Sequence, residues 1–359
     1  MLDKFFEDLI IVELASVLAG PAVGMFFAEL GAKVIKIENK KTGGDVTRKW
    51  KLPTENPDAE FSAYYHSVNY KKNIQLVDLQ EDRGRNDVLE IIKSADIVVS
   101  NFRTKSAKKM GMDYESLKRI NPTLIYAELT GFGQEDRPAF DVVLQAEAGF
   151  LFMTGEPNRE PVKMPVALID LLAAHQLKEG ILIALIHRMK TGQGSFVTTS
   201  LLEAAVASLA NQANNWLMAN FIPQRMGCMH PNIAPYGDIF YSKDNKPIVL
   251  AVGTERQFKN LCEVLKLEDL INDKRFEVNS SRVKNRMVLK EILALEFQKR
   301  DRDPLLIIFH NKSIPAGSIR NMKEVFDIPM AKEMILEEKL PSGEVTKRVK
   351  TVAFDITFK

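Results

Sequence analysis

Cysteine is almost missing from this chain of 359 residues: Cys228 and Cys262 are the only two, without CxxC spacing, so neither a disulfide framework nor a cysteine zinc site is expected. The five histidines, His66, His175, His187, His230 and His310, form no ligand pattern of the HExxH kind, and no metal is expected. An excess of one charge is lacking too. Lysine plus arginine (49) nearly cancels aspartate plus glutamate (47), and a net charge of +2 gives no basis for a nucleic-acid or membrane-surface partner. No apolar run reaches the ~18 residues of a membrane span, and MLDKFFEDLIIVELASVLAG scatters acids ahead of its apolar stretch, unlike a signal peptide. The expected location is the cytoplasm. Internal repeats and low-complexity tracts are also absent.

What is present is the composition of an ordinary globular chain, 45% hydrophobic and 27% charged, with material for two domains. LIIVELAS reads as a strand, GPAVGMFFAELGA as a helix and KVIKIEN as a second strand, a unit of the length of a parallel crossover. NIQLVDL, DIVVSN and TLIYAELTG continue as strands and DRGRNDVLEIIKSA as a helix, which predicts an α/β, Rossmann-like, doubly wound sheet. The first strand–helix turn reads ASVLAGP, without GxGxxG, so the fold alone does not imply a dinucleotide. Long helices are predicted at about 171–190 and 201–221, both apolar enough to be buried. Prolines and glycines after Phe221 mark a change of texture. PYGDIFYSKDNKPIVLAVG follows as a hairpin turning at Lys243–Lys246, and the strand-like VKTVAFDITF closes the chain. The expected division is a large domain, 1–220, to which 325–359 returns, and a smaller α+β domain with linkers, 221–324.

Asp170 is the one carboxylate in MPVALIDLLAAH, where a helix is expected to begin. It reads either as an N-cap accepting hydrogen bonds from the next amides, or as a nucleophile kept ionised by the helix N-terminus with free amides near it to stabilise an oxyanion. GGDVTRKW, residues 43–50, reads as a phosphate-facing loop or a polar turn; it lacks the ending of a P-loop. NFRTKSAKKMGM places Arg103, Lys105, Lys108 and Lys109 after a strand, either a solvated surface or a site for a phosphorylated nucleotide.

Taken in order, ELASVLAGP, LGAKVIKIE, GGDVTR, NYKKNIQL, ADIVVSNFR, TGFGQ, DVVLQAEAGF, the lone aspartate before a long helix, TGQG, SLLEA, HPNIAPY and IPAG resemble the class III CoA-transferase family. That family includes formyl-CoA and carnitine CoA-transferases and, on the same scaffold, α-methylacyl-CoA racemases. The resemblance runs from about Leu9 to the end of the chain. It implies an interlocked homodimer and a CoA-transferase that moves CoA from an acyl-CoA to a small carboxylic acid, with no permanently bound cofactor. Asp170 would attack the donor thioester to form a mixed anhydride and then an aspartyl-CoA thioester.

By the same resemblance, CoA contacts fall on Val17, Leu18 and Ala19, on Asn39 or Lys40, on Leu76, on Asn101, Phe102 and Arg103, on Lys109 and Met110, and on Thr130, Gly131 and Phe132. The chain departs from the family pattern in several places. Leu18 replaces a glutamine of formyl-CoA transferases, Asn39 replaces an arginine, NYKKNIQLVDL is one residue longer, and AFDITFK stops short of a PxLGEHT-like tail. Formyl-CoA and oxalate are therefore not the expected substrates. The racemases carry a histidine before an aspartate where this chain has Phe140-Asp141, which favours transfer over the racemase alternative. A non-catalytic nucleotide-binding protein is the third reading; the presence of Asp170 opposes it.

Overall fold

The structure is a computed structural model that describes residues 2–358. It divides into two compact units: the first comprises the chain to Ala148, Met164–Ala210 and the chain from Met330 onward; the second comprises Gly149–Lys163 and Asn211–Pro329.

The first unit is built on six parallel strands, β1 (Ile10–Leu14), β2 (Lys33–Asn39), β3 (Lys72–Val77), β4 (Ile97–Ser100), β5 (Ile125–Thr130) and β6 (Ser195–Ser200), in the order β3-β2-β1-β4-β5-β6. β1 pairs with both β2 and β4, so the strand order reverses between β1 and β4, where ligands bind in such sheets. β1 and β4 are almost wholly buried, which explains their largely apolar sequences; the charged exception, Glu13 in β1, is paired with Lys36 and Lys72. β6 was not expected. Its sequence SFVTTS carries little apolar signal because it is an edge strand, paired only with β5 and partly exposed.

The helix Leu168–Thr191 buries Ile169, Ala173, Ala174, Leu177, Ile181 and Ala184, at three- and four-residue spacing, and packs against the helix Ala19–Glu29. Its opposite face is not covered within this chain: Ile183 is 69% exposed and Met189 86%. The predicted 201–221 helix is two helices, Leu201–Ala207 and Ala210–Ala219, broken where Ala210 takes a φ of +46°, and Leu217 and Met218 are exposed. The expected burial holds for one face of the Leu168–Thr191 helix and for Leu201, Ala204 and Ala205, but the helix Ala210–Ala219 buries no residue. An apolar surface looks the same in sequence whether its own chain or another covers it.

The C-terminal segment forms the antiparallel pair β10 (Ile335–Lys339) and β11 (Val345–Val349). Within the first unit Arg348 donates to the Asn69 carbonyl, Lys71 N donates to Glu338, and the amides of Thr351 and Val352 donate to Glu29. β11 ends at Val349, and residues 351–358 form no strand, against the expectation for VKTVAFDITF. In the second unit β7 (Tyr236–Tyr241), β8 (Pro247–Ala251) and β9 (Ala316–Ser318) form an antiparallel sheet, with the expected hairpin between β7 and β8. Its core centres on Phe240, Leu261, Phe276, Phe297 and Phe309.

Candidate active site

Asp170 lies in the first turn of the Leu168–Thr191 helix and is only 8% exposed. It is not the cap. The N-cap is Ala167, which offers no side-chain acceptor, and the capping role falls to Asp141 from 28 residues earlier: its Oδ1 accepts Ile169 N at 2.7 Å and Asp170 N at 3.4 Å. Asp141 opens the helix Asp141–Glu147, and its other oxygen accepts from Gln145 Nε2, while Gln145 Oε1 takes Met164 N at 2.9 Å. The sequence signal for this arrangement was a second lone acid, in AFDVVLQ, with a glutamine one helical turn later.

The electrostatics correct the expectation for the free carboxylate. A helix N-terminus favours a charge nearby, but burial, reinforced by Asp141, wins and pushes the Asp170 carboxyl up to about 7. Among the described residues no lysine or arginine forms an ion pair with it. Tyr64 stands in the same field: burial first, then Asp170, Asp141 and Asp45, push its phenol up to about 12, so it remains a neutral hydrogen-bond donor. Trp50 packs edge-on against Tyr64 with ring centroids 5.1 Å apart, which brings GGDVTRKW to the neighbourhood of Asp170.

A cavity of about 600 Å³ opens at the carboxyl ends of the strands around the β1/β4 switch point. Of the residues expected to contact a nucleotide, Asn39, Phe102 and Met110 line it. Ser16, Lys49, Asp78, Gln80 and Ser106 line it as well and were not expected. Asn101 bridges the switch point: Ser16 N donates to its Oδ1 at 3.1 Å, and its Nδ2 donates to the Ser16 carbonyl at 2.9 Å. Val17 adjoins this clip, its amide donating to Asp45, and Leu18 and Ala19 begin the next helix.

The remaining expected contacts lie outside the cavity lining. Arg103, Lys109 and Lys40 are exposed, and Leu76 is 49% exposed at the end of β3. Lys41, one residue past Lys40, crosses to Asp78 at 2.7 Å. Thr130, Gly131 and Phe132 follow β5; the Thr130 hydroxyl is buried without a hydrogen-bond partner, and Phe132 lies beneath the Arg137 guanidinium at 3.5 Å. Among the described residues no cluster of histidine, cysteine or carboxylate could hold a metal, and no helix is long and apolar enough to cross a membrane.

The sheet order and a cavity at the switch point are those of an α/β protein that binds a ligand at the carboxyl ends of its strands, and the same unit carries a buried carboxylate with a raised pKa. Residues 6–359 match the family model described as CoA-transferase family III. The chain is 37% identical over 350 residues to succinate–glutarate CoA-transferase of Agrobacterium fabrum, covering 95% of this chain and 87% of that protein. It is 36% identical to human succinyl-CoA:glutarate CoA-transferase over 91% of this chain and 74% of that one. Its fold superposes with a TM-score of 0.83 on the crystal structure of a CaiB/BaiF family protein from Brucella suis, at 38% identity and over 98% of this chain and 91% of that one. The chain belongs to CoA-transferase family III, and it moves CoA from an acyl-CoA to a carboxylic acid.

Proposed function

We propose that Asp170 is the nucleophile of this transfer, and that the observation carrying the reading is its burial beside Asp141 without a cation. The Asp170 carboxylate attacks the carbonyl of the donor thioester; the C–S bond breaks, leaving an aspartyl–acyl anhydride and CoA thiolate. The thiolate then attacks the aspartyl carbonyl, releasing the donor acid and leaving an aspartyl-CoA thioester. An acceptor carboxylate repeats the two steps in reverse. Covalent capture removes the negative charge that burial and Asp141 disfavour, so the same features that raise the pKa also favour the intermediates. A carboxylate of higher pKa is also the stronger nucleophile.

Acyl-CoA occupies the switch-point cavity in this reading, with Asn39, Phe102 and Met110 against it. The names of the two curated relatives, which pair succinate with glutarate, point to dicarboxylic acids as donor and acceptor. A second copy of the chain covers the exposed apolar face of the Leu168–Thr191 helix, in keeping with an interlocked homodimer. The experiment is intact-mass analysis after incubation with succinyl-CoA. Wild type should gain a CoA adduct that glutarate discharges, and Asp170→Ala should gain none while remaining folded. An adduct on the alanine variant would remove Asp170 from the chemistry.

A further inference from the structure

Val17 has a φ of +72°, a conformation that a β-branched residue keeps only when its surroundings impose it. The imposing bonds are few and specific: Val17 N donates to Asp45 Oδ2 at 3.1 Å, and the Asn101 clip grips the preceding Ser16 on both its amide and its carbonyl. Asp45 is itself held rigidly. Its Oδ1 accepts Thr47 N at 3.0 Å and Thr47 Oγ1 at 2.8 Å, and its own amide donates to Glu38 Oε2 at 2.9 Å.

Behind Asp45 lies a chain of buried charge. Lys36 Nζ is 3.2 Å from Asp45 Oδ2 and 2.9 Å from Glu13 Oε1, and Lys72 Nζ is 2.8 Å from Glu13 Oε2; all four side chains are essentially inaccessible. Glu38 extends the chain to Arg48 Nε at 2.7 Å and to the Tyr65 hydroxyl at 2.7 Å. Burying so many ions is a poor way to gain stability, because well-packed apolar groups of the same volume do as well or better. What the network does fix is the place of Asp45, which is paired with Lys36 and bonded through its amide to Glu38.

Ser16 and Asp45 both line the switch-point cavity, so the strained turn forms part of its wall. We propose that Asp45 is a positioning residue: through the Val17 amide it holds the Ser16–Val17 turn in its left-handed shape, and that shape receives bound acyl-CoA. This rests on the reading of the cavity as the acyl-CoA site. Within the loop GGDVTR, Gly44, Asp45 and Val46 border the cavity, and the Asp45 carboxylate is turned inward, onto Val17 N of the turn after β1 and Lys36 of β2.

The test is a double-mutant cycle on kcat/KM for acyl-CoA, read beside the KM of the acid acceptor. Asp45→Asn keeps the shape but cannot accept on both sides, so the turn relaxes; kcat/KM for acyl-CoA should fall about tenfold or more, with the acceptor's KM unchanged. Val17→Gly removes the strain that drives relaxation, because glycine enters the left-handed region freely. The double variant Val17→Gly/Asp45→Asn should therefore recover severalfold over Asp45→Asn alone. A merely structural Asp45 would show no recovery, since glycine would add only flexibility, and that result overturns the proposal.

Thr47→Val, which removes one of the bonds orienting Asp45, gives the same test should Asn at position 45 fail to fold: a smaller loss, again rescued by glycine at position 17, is expected, and a loss without rescue overturns the proposal. Wild type without any CoA exchange would instead sink the transferase reading, a failure distinct from an active wild type whose variants show no rescue.

Discussion

Asp170→Asn should make the protein more stable and inactive, and the gain should depend on pH. In the folded state the Asp170 carboxyl is raised from an ordinary 3.8 to about 7, by burial first and Asp141 second. A group whose folded pKa lies above its unfolded one withholds nothing below about pH 4, and its contribution is lost as pH rises through the folded value. The full rise corresponds to about 4 kcal/mol at alkaline pH, and relaxation around the charge brings the realised penalty to about 2–4 kcal/mol. Asparagine preserves the shape and cannot ionise. Thermal midpoints of variant and wild type should therefore coincide near pH 4 and diverge with rising pH, the variant standing roughly 5–10 °C higher by pH 8–9. The midpoint is to be followed by near-UV circular dichroism, with a second probe for the second unit because two units need not unfold together. If Asp170 were the helix cap, the substitution would leave stability unchanged or lower at every pH, and its removal by alanine would cost about 1 kcal/mol. A loss of stability, or a gain independent of pH, would refute the reasoning.

Three further outcomes follow from the same geometry. Asp141→Asn keeps an oxygen for the Ile169 amide but removes the charge beside Asp170, so the acid limb of kcat/KM against pH, expected near pH 7 in wild type, should move to lower pH; an unmoved limb assigns it to another group. All three cations are exposed, but Lys49 lines the cavity whereas Arg103 and Lys109 do not, so Lys49→Ala should raise the KM for acyl-CoA about fivefold or more, and the Arg103→Ala/Lys109→Ala pair by less; the reverse order would place the phosphates at the Thr104–Met110 helix. Analytical ultracentrifugation at low micromolar protein should show only dimer, since the exposed faces around Ile183, Met189, Leu217 and Met218 need a cover; a folded monomer would count against the interlocked assembly.

Local chemistry made much of this protein legible in its sequence. Five of the six strands of the large sheet, the Ala19–Glu29 and Asp82–Lys93 helices and the β7/β8 hairpin all follow from side-chain periodicity and turn residues, which act over a few positions and leave their mark in the order of residues. The ordered fragments identified the family, and Asp170 stood out as one acid in an apolar run. Tertiary structure decided what depends on partners far apart in the chain. It supplied the cap of the Asp170 helix from Asp141, turned Asp45 of GGDVTR inward onto Val17, and returned the C-terminal hairpin to Asn69 and Lys71. It also raised the pKa of Asp170, because desolvation is a property of everything packed around a group and Asp141 comes from a distant part of the chain. For the same reason the sequence could show that the Leu168–Thr191 helix is apolar, while only the fold shows which face its own chain covers and which it leaves open.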